Sequence, residues 1–399
     1  MEYFDSGIPR IPDYELSEKE FLLQTSIDQR HREHLIHELV EAIKKDSLAP
    51  YYEYLSKEIT GFPFDLPLYE NMKKQNQEKV EQVKQKIKEA EDEEETELDP
   101  FACYNDLAEY LAKICDKAEA EAAYNKAFEI TKNNGTKIDI LLAMCRIEFF
   151  FNDLEKLGSY LERANSLMDK GGDWERRNRF KTYNGVYLMA TRNFLEAAHL
   201  LMDSLATFTS TELCSYEQVT QYAIVCGVVS LDRVNLKSKL IDSPEVLSSY
   251  SSSKILEPLI NLTNVLYTSQ NNYFFPYLLE SYEKLLLPNK FLNPHANYFL
   301  REMRCKAYGQ LLESYQSLSL RSMAQSFGIS EEFLDQDLCK FIPNRKLNCT
   351  IDRVNGIIET NRPDSKNNQY HLLMKQGDGL LTKLQKYVAA VKLSGAERV

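Results

Sequence analysis

A recurrence of turn-forming residues in the middle of the chain most constrains its fold. Aspartate or asparagine, which suit a helix cap after a tight turn, recur at Asp116, Asp153, Asn193, Asp232 and Asn272. The steps between them are 37, 40, 39 and 40 residues. A period of roughly 20 to 50 residues is typical of repeated structural units that stack on one another. The pattern therefore predicts helix-turn-helix hairpins, each of which buries its apolar face only against its neighbours.

The residues that follow each turn support this prediction. Four turns are followed, at offsets +4, +8 and +11, by small or apolar residues that let a second helix lie against the first: Ala120, Tyr124, Ala127; Leu157, Leu161, Ala164; Ala197, Leu201, Ser204; Leu236, Leu240, Ser243. The fifth unit has Pro276, Glu280 and Glu283 at these offsets and breaks the pattern. The repeats exceed the ideal length of about 34 residues. We predict an all-α dominated fold built on a degenerate, tetratricopeptide-like α-solenoid.

Composition agrees with helices and excludes some functions. The 399 residues are 43% hydrophobic with only 14 Gly and 13 Pro, which favours long helices joined by short loops. A formal net charge of −12 argues against a general binder of nucleic acid or anionic membrane. The longest apolar run, about 222–231, falls short of the ~20 residues that cross a bilayer. Eight scattered cysteines without a C-x-x-C motif indicate reduced thiols, and we expect a soluble intracellular protein.

The N-terminal part differs in composition from the repeats. It ends in an acidic block, 89–99, with eight acidic residues and no basic one. Such a block is typical of a solvated linker or helix end, and the alternative is a handle for a basic partner. His31, His34 and His37 could share one helix face as metal ligands. We favour a polar helix face, because no H-E-x-x-H pattern accompanies them.

Residues 317–360 predict two short helices and a β-hairpin. Ser319 and Ser330 can cap helices, and Gly328 suits the left-handed end of the first. Leu347, Cys349 and Ile351 alternate as on a strand, and Asn355-Gly356 predicts a turn before a second strand at 357–360. This order is that of a winged helix.

The charge of this module argues against nucleic acid. Its second helix carries four acidic residues and one basic residue: Glu331, Glu332, Asp335, Asp337 and Lys340. Phosphate contacts require Lys or Arg, so this helix would repel a duplex. The wing has Arg345, Lys346 and Arg353, a modest patch that we interpret as a solvated loop. We predict a protein-docking module.

Two further stretches are candidate partner surfaces. The cluster Arg176, Arg177, Arg179 and Lys181 follows the only tryptophan, Trp174, and either pairs with the preceding repeat or faces an acidic neighbour. Beyond Pro363 a long helix carries an apolar stripe at 3-4 spacing that nothing obvious in the chain is left to cover. Gly377 and Gly379 weaken its interior, so it needs a partner helix for stability.

Motifs for catalysis and cofactor binding are absent from the sequence. It contains no G-x-x-x-x-G-K-[ST], G-x-G-x-x-G or G-x-S-x-G, and Gly377-Asp378-Gly379 is a lone fragment. Cysteine and histidine residues never approach zinc-ligand spacing. We expect no enzyme activity, no cofactor and no metal.

A solenoid followed by a winged helix and a terminal helix resembles the PCI-domain proteins of the proteasome lid, signalosome and translation initiation factor. Six segments are similar to one family of non-ATPase regulatory subunits of the 26S proteasome lid, numbered seven and, in the human scheme, six: 49–55, 171–187, 207–213, 301–304, 311–320 and 359–370. The acidic block, the repeats and the winged-helix pattern together predict an N-terminal helical arm with an acidic linker (1–98), helical repeats (99–315), a winged helix completing the PCI domain (316–362) and a C-terminal helix (363–399).

The resemblance implies a non-catalytic scaffold in lid assembly and ubiquitin-dependent protein degradation, located in cytoplasm and nucleus. It implies a hetero-oligomer with other PCI subunits, with the lid deubiquitinase subunit pair through a helical bundle, and with the proteasomal ATPase ring, without nucleic acid or membrane. The deubiquitinase's metal-binding motif is absent here. Two alternatives remain: a scaffold like signalosome subunit one, and a PCI module for nucleic-acid binding or messenger-RNA export.

Three contact surfaces follow as hypotheses. The hairpin 347–360 would extend a neighbour's sheet, the terminal stripe would enter a bundle, and the basic cluster would face an acidic partner. The residues expected to bind partners are Arg176, Arg177, Arg179, Lys181, Leu347, Cys349, Ile351, Ile357, Leu373, Leu380, Leu384, Val388 and Val391.

Overall fold

Helices make up most of the computed structural model, which describes residues 8–25, 29–92, 99–171, 173–252, 254–361 and 365–396. The chain divides into two compact units, Met1–Met303 and Arg304–Val399. Helical hairpins fill the first unit, and a small three-stranded sheet lies in the second. The predicted class, a helical solenoid with a winged helix, is confirmed.

The N-terminal helices belong to the same compact unit as the repeats. They are α1 (Tyr14–Thr25), α2 (Gln29–Asp46), α3 (Ala49–Glu58) and α4 (Leu66–Asp92). Tyr51 and Tyr52 of α3 are buried in a core that also contains Phe150 of the repeat region, and the Tyr51 and Phe150 rings meet edge to face at 5.4 Å. The aromatic residues of α3 therefore pack in the core of the first unit.

The repeats follow as antiparallel pairs. Their helices are α5 (Pro100–Lys113), α6 (Lys117–Ile130), α7 (Asn134–Phe151), α8 (Leu154–Met168), α9 (Trp174–Ala190), α10 (Phe194–Leu205), α11 (Tyr216–Ser230), α12 (Arg233–Leu236), α13 (Pro244–Ser252), α14 (Glu257–Thr268) and α15 (Phe274–Ser281). The pairs are α5 with α6, α7 with α8, α9 with α10, and α14 with α15, whereas α12 continues as a π-helical turn, Lys237–Ile241, that packs on α11.

The turn residues take the role that their spacing predicts. Asp116 and Asp153 cap α6 and α8, each accepting a hydrogen bond of 3.3 Å from a backbone N–H three residues later. Asn193 and Asp232 occupy the N-cap positions of α10 and α12. Residues at offsets +4, +8 and +11 are buried in these four units, except that Ser243 is half-buried.

A glycine allows the closest approach within one hairpin. A Cβ atom on Gly185 of α9 would lie 2.7 Å from Cδ2 of Leu201 on α10. Nonbonded carbon atoms do not approach so closely, so a side chain here would have to displace the buried Leu201 side chain or move the two helices apart.

The fifth unit shifts its buried face by two residues. Asn272 lies in a short 3₁₀ turn, Asn271–Tyr273, so that α15 begins at Phe274. Its buried residues are Phe274, Leu278 and Ser281, and the π-helical turn Tyr282–Leu286 adds Leu285 and Leu286. Pro276 and Glu283, at the offsets read from the other units, are exposed.

The second unit is the predicted winged helix with one additional strand. Helix α16 (Ala296–Leu312) runs through the division between the units and is followed by β1 (Ser317–Ser319), α17 (Leu320–Phe327), α18 (Glu331–Phe341), β2 (Cys349–Asp352), β3 (Ile357–Thr360) and α19 (Ser365–Ala396). Ser319 and Ser330 cap α17 and α18, and Gly328 ends α17 at φ +67°. The sheet order is β1-β3-β2, with both pairs antiparallel.

The predicted segments 1–98, 99–315, 316–362 and 363–399 remain a proposal. The compact units of the structure divide the chain after Met303, which is not one of the predicted boundaries. Most of the acidic block, 93–98, lies outside the described residues. Among the helices that the structure describes, none is long and apolar enough to cross a membrane.

A buried carboxyl group couples two neighbouring repeats. Glu148 of α7 is fully buried, and its Oε2 lies 2.8 Å from Nζ of Lys117 on α6, which also lies 3.0 Å from Asp153. Burial, followed by the adjacent Glu121 carboxyl, raises the pKa of Glu148 to about 7, although Lys117 opposes the shift.

We predict that Glu148→Gln removes a pH-dependent part of the stability. Because the folded pKa exceeds the unfolded value, Glu148 contributes stability at low pH that is lost as pH rises through 7. Denaturant unfolding at pH 5.5 and pH 8 measures the free energy of unfolding of both proteins. The variant should become more stable relative to the wild type at the higher pH. Glu155→Gln, at an exposed carboxyl, is the control, and an equal gain for both variants would contradict the assignment.

Candidate interaction surfaces

The basic cluster at the start of α9 is held largely by this chain's own carboxylates. Arg176 donates from Nε and Nη2 to the Asp139 carboxylate of α7 at 2.8–3.1 Å and also pairs with Asp173. Arg179 donates from Nη1 to the same Asp139 at 3.2 Å. The arginines therefore pair with the preceding repeat, one of the two readings that the sequence left open.

Arg179 also reaches a buried carboxylate beyond its own hairpin. Its Nε donates to Oε1 of Glu212 at 2.9 Å, and the Tyr183 hydroxyl donates to the same oxygen at 3.1 Å. Glu212 lies in the loop between α10 and α11, and Arg179 is only 4% exposed. Two segments that carry the family resemblance, 171–187 and 207–213, are thus joined by a buried ion pair that links successive repeats.

This geometry bears on the docking hypothesis. Arg179 is buried and Arg176 is paired with two carboxylates of this chain, which leaves both arginines less available to an external acidic partner. The sequence showed only their charge and not the carboxylates 33–40 residues away that neutralise them. Arg177 is exposed and Lys181 is half-buried, so these two retain the predicted surface role as a hypothesis, and the neighbouring Trp174 is 65% exposed.

We predict a large loss of stability for Arg179→Met. Removing one member of a buried ion pair leaves Glu212 charged without its partner, which costs about 3–5 kcal/mol. The double variant Arg179→Met/Glu212→Gln should recover part of this loss. Arg177→Met, on the exposed side of α9, should stay within about 0.5 kcal/mol. Chemical denaturation measures all three, and equal losses for Arg177 and Arg179 would contradict the buried role.

One sheet edge of the winged helix faces away from the unit's own strands. The Asn361 N–H donates to the Asn348 carbonyl at 2.9 Å, so even-numbered residues of β2 bond to β3. The N–H and C=O groups of Cys349 and Ile351 therefore point to the other side. This edge suits the addition of a strand from another chain.

The structure limits which of the predicted hairpin residues can take part in strand addition. β3 pairs with β1 on one side and β2 on the other, so Ile357 cannot offer an edge. Leu347 and Cys349 bury their side chains, and those residues can contribute only backbone groups. Sequence reasoning missed β1 because three residues, two of them serine, read as a helix cap rather than a strand.

Some charged side chains of the winged helix form ion pairs within the second unit. Asp337 is buried and accepts from Nη1 of Arg304 at 2.5 Å, so it does not belong to the exposed acidic face that the sequence predicts. Arg353 of the wing donates to Asp335 of α18 at 2.9 Å. The exposed acidic set is therefore smaller, and one wing arginine is already engaged.

The terminal helix α19 carries an exposed apolar stripe. Every residue in 366–392 whose exposure the structure describes is exposed. The members of its stripe are between 49% and 69% exposed, glycine aside: Leu373, Gly377, Leu380, Leu381, Leu384, Tyr387, Val388 and Val391. Within the described part of the chain, this stripe is not covered, as the sequence predicts.

Histidine, cysteine and acidic side chains of the described residues do not form a metal site. No three His, Cys, Asp or Glu side chains among the described residues are arranged to hold a metal ion. His34 and His37 lie at 3.2 and 3.6 Å from Glu38 and Glu41 on the exposed side of α2. Burial raises the pKa of the Cys115, Cys145, Cys214 and Cys226 thiols, which disfavours the reactive thiolate.

Three family models match successive parts of the chain. The model described as 26S proteasome subunit RPN7 matches residues 65–239, and that of the PCI domain matches 279–362. A third model, the 26S proteasome regulatory subunit RPN7/PSMD6 C-terminal helix, matches 369–391, the centre of α19.

Relatives that match nearly the whole chain carry names of the same family. The chain is 50% identical to 26S proteasome regulatory subunit RPN7 of Saccharomyces cerevisiae, covering 100% of this chain and 98% of the relative. It is 36% identical to the 26S proteasome non-ATPase regulatory subunit 6 homolog of Arabidopsis thaliana, over 96% and 97%. Identity to COP9 signalosome complex subunit 1b of Drosophila melanogaster is 21%, over 69% and 53%. The chain belongs to the RPN7/PSMD6 family of 26S proteasome regulatory subunits.

Proposed function

We propose that the chain is a non-catalytic scaffold subunit of the 26S proteasome lid that acts in lid assembly and ubiquitin-dependent protein degradation. Family membership supports the proteasomal role. The observation that carries the scaffold role is the exposed apolar stripe of α19, a surface that no described part of this chain covers. Scaffolding requires neither a cofactor nor catalytic residues, and the proposed location is cytoplasm and nucleus.

The width of the stripe favours a helical bundle over a two-stranded coiled coil. Leu373, Leu380 and Tyr387 repeat every seven residues, with Gly377, Leu384 and Val391 four residues after each. Met374, Leu381 and Val388 widen this seam to an arc of about 140°, at 100° per residue. A seam of two positions per heptad is enough for one partner helix, and a third position suits contact with more than one. The proposed partners are the helices of the lid deubiquitinase subunit pair.

The outward edge of β2 is the proposed contact with other PCI subunits. Strand addition uses main-chain hydrogen bonds, so buried side chains at Leu347 and Cys349 do not prevent it. Contact with the proteasomal ATPase ring completes the proposal and rests on family membership.

Nucleic-acid binding is disfavoured by the same winged helix. The exposed charges of α18 are Glu331 and Glu332 against Lys340, and the half-buried Asp335 is paired with Arg353. A signalosome role is the other alternative, since a signalosome subunit is a distant relative. Affinity purification separates them: ATPase subunits and the core peptidase indicate the proteasome, and cullin-deneddylating subunits indicate the signalosome.

We predict that deletion of 364–399 leaves the remaining chain folded but impairs assembly, because α19 is exposed throughout its described length. Leu380→Asp/Leu384→Asp should lower co-purification of the other lid subunits at least about tenfold, since burying a charge costs more than 1.4 kcal/mol. Thr382→Asp/Ala389→Asp adds the same charge to the opposite face and should assemble normally. Full assembly of the truncated chain would refute the scaffold role of α19.

We also predict that Ile351→Pro weakens the contact with a neighbouring PCI subunit by about threefold to tenfold. Proline removes an outward N–H from the β2 edge and leaves the β2–β3 hydrogen bonds intact. Ile351→Val keeps that N–H and is the control. Quantitative crosslinking of the assembled complex measures the contact, and identical yields for the two variants would exclude strand addition at this edge.

A further inference from the structure

The stripe on α19 has a gap at its centre. Neighbours on a helix surface lie three and four residues apart. Gly377 is therefore surrounded by Leu373, Met374, Leu380 and Leu381, which are 57–67% exposed. Four side chains around a position without one form the kind of hole that accepts a side chain from a facing helix.

No described residue of the chain accounts for this glycine. A Cβ atom added at Gly377 would meet no atom within 4 Å, and its backbone is ordinary α-helix. Glycine weakens a helix interior, so an alanine here would stabilise α19 without any clash. Gly379 shares these properties, but it lies on the opposite face, surrounded by Lys375, Gln376, Thr382 and Lys383.

The charge of α19 has the opposite sign to that of the whole chain. The helix contains five lysines and one aspartate, a net charge of +4, in a chain of −12. Lys383 follows Leu380 by three residues and precedes Tyr387 by four, and Lys392 follows Val388 by four. These two lysines therefore flank the two edges of the apolar stripe, whereas Lys375 and Lys386 lie on the opposite face.

We propose that α19 is fitted to an acidic amphipathic helix of a partner subunit, which inserts a bulky apolar side chain into the notch at Gly377 and pairs carboxylates with Lys383 and Lys392. The inference rests on the proposed lid-scaffold function and adds the chemistry of the partner and the position of its anchoring residue. Exposed lysines on both edges repel basic helices and select acidic ones.

The notch is tested by Gly377→Leu against Gly379→Leu in the full chain expressed in place of the native subunit. Both substitutions raise helix propensity equally, and only the first fills the hole. Co-purification with the other lid subunits should fall at least tenfold for Gly377→Leu and stay within twofold for Gly379→Leu. Equal behaviour of the two variants, whether both assemble or both fail, overturns the notch.

The charge of the partner is tested by two double variants that change the net charge by the same amount. Lys383→Glu/Lys392→Glu should lower assembly at least tenfold, and Lys375→Glu/Lys386→Glu should lower it by less than threefold. Equal losses of assembly for the two double variants, or no loss for either, would overturn the proposal of an acidic partner. Normal assembly of Leu380→Asp/Leu384→Asp would instead refute the scaffold proposal itself, so the failures are distinguishable.

Discussion

The close fit between the two helices of each hairpin is the constraint on which the first unit depends. Ala120, Leu157 and Ala197 are fully buried at the same offset from their turns, and Gly185 lets α9 and α10 approach until no Cβ would fit. Each hairpin can hide this face only by stacking with its neighbours. The N-terminal helices extend the same arrangement, since their aromatic core includes Phe150 of α7.

Much of the fold follows from residues close together in sequence. Caps at Asp116, Asp153, Ser319 and Ser330 depend on a side chain and an N–H two or three residues away, so local chemistry predicts them. Pairings between distant residues are different. The partners of Arg179 and Asp337 lie 33 residues away, and a buried arginine has the same sequence signature as a solvated one. The strand β1 pairs with β3 about 40 residues later and is too short to show alternation.

The surfaces that remain candidates for partner binding are those whose residues make few contacts with the rest of this chain. The stripe on α19 was predictable because 3-4 spacing describes one face of a single helix and requires no knowledge of the rest. The sheet edge was only half predictable, since the order β1-β3-β2 decides which strand is outermost. The role of the basic cluster was the least predictable. Its residues Arg176 and Arg179 stabilise the solenoid through ion pairs with this chain's own carboxylates.

The charge of α19 has a consequence for the free chain. With +4 on the helix, the remainder of the sequence carries −16, because the total is −12. Two whole copies, each of net charge −12, still repel one another at long range, and this repulsion reaches roughly 30 Å at 0.01 M salt but only about 8 Å at 0.15 M. An isolated subunit is consequently best kept monomeric at low ionic strength, where the repulsion between bodies keeps the apolar stripes of separate copies apart.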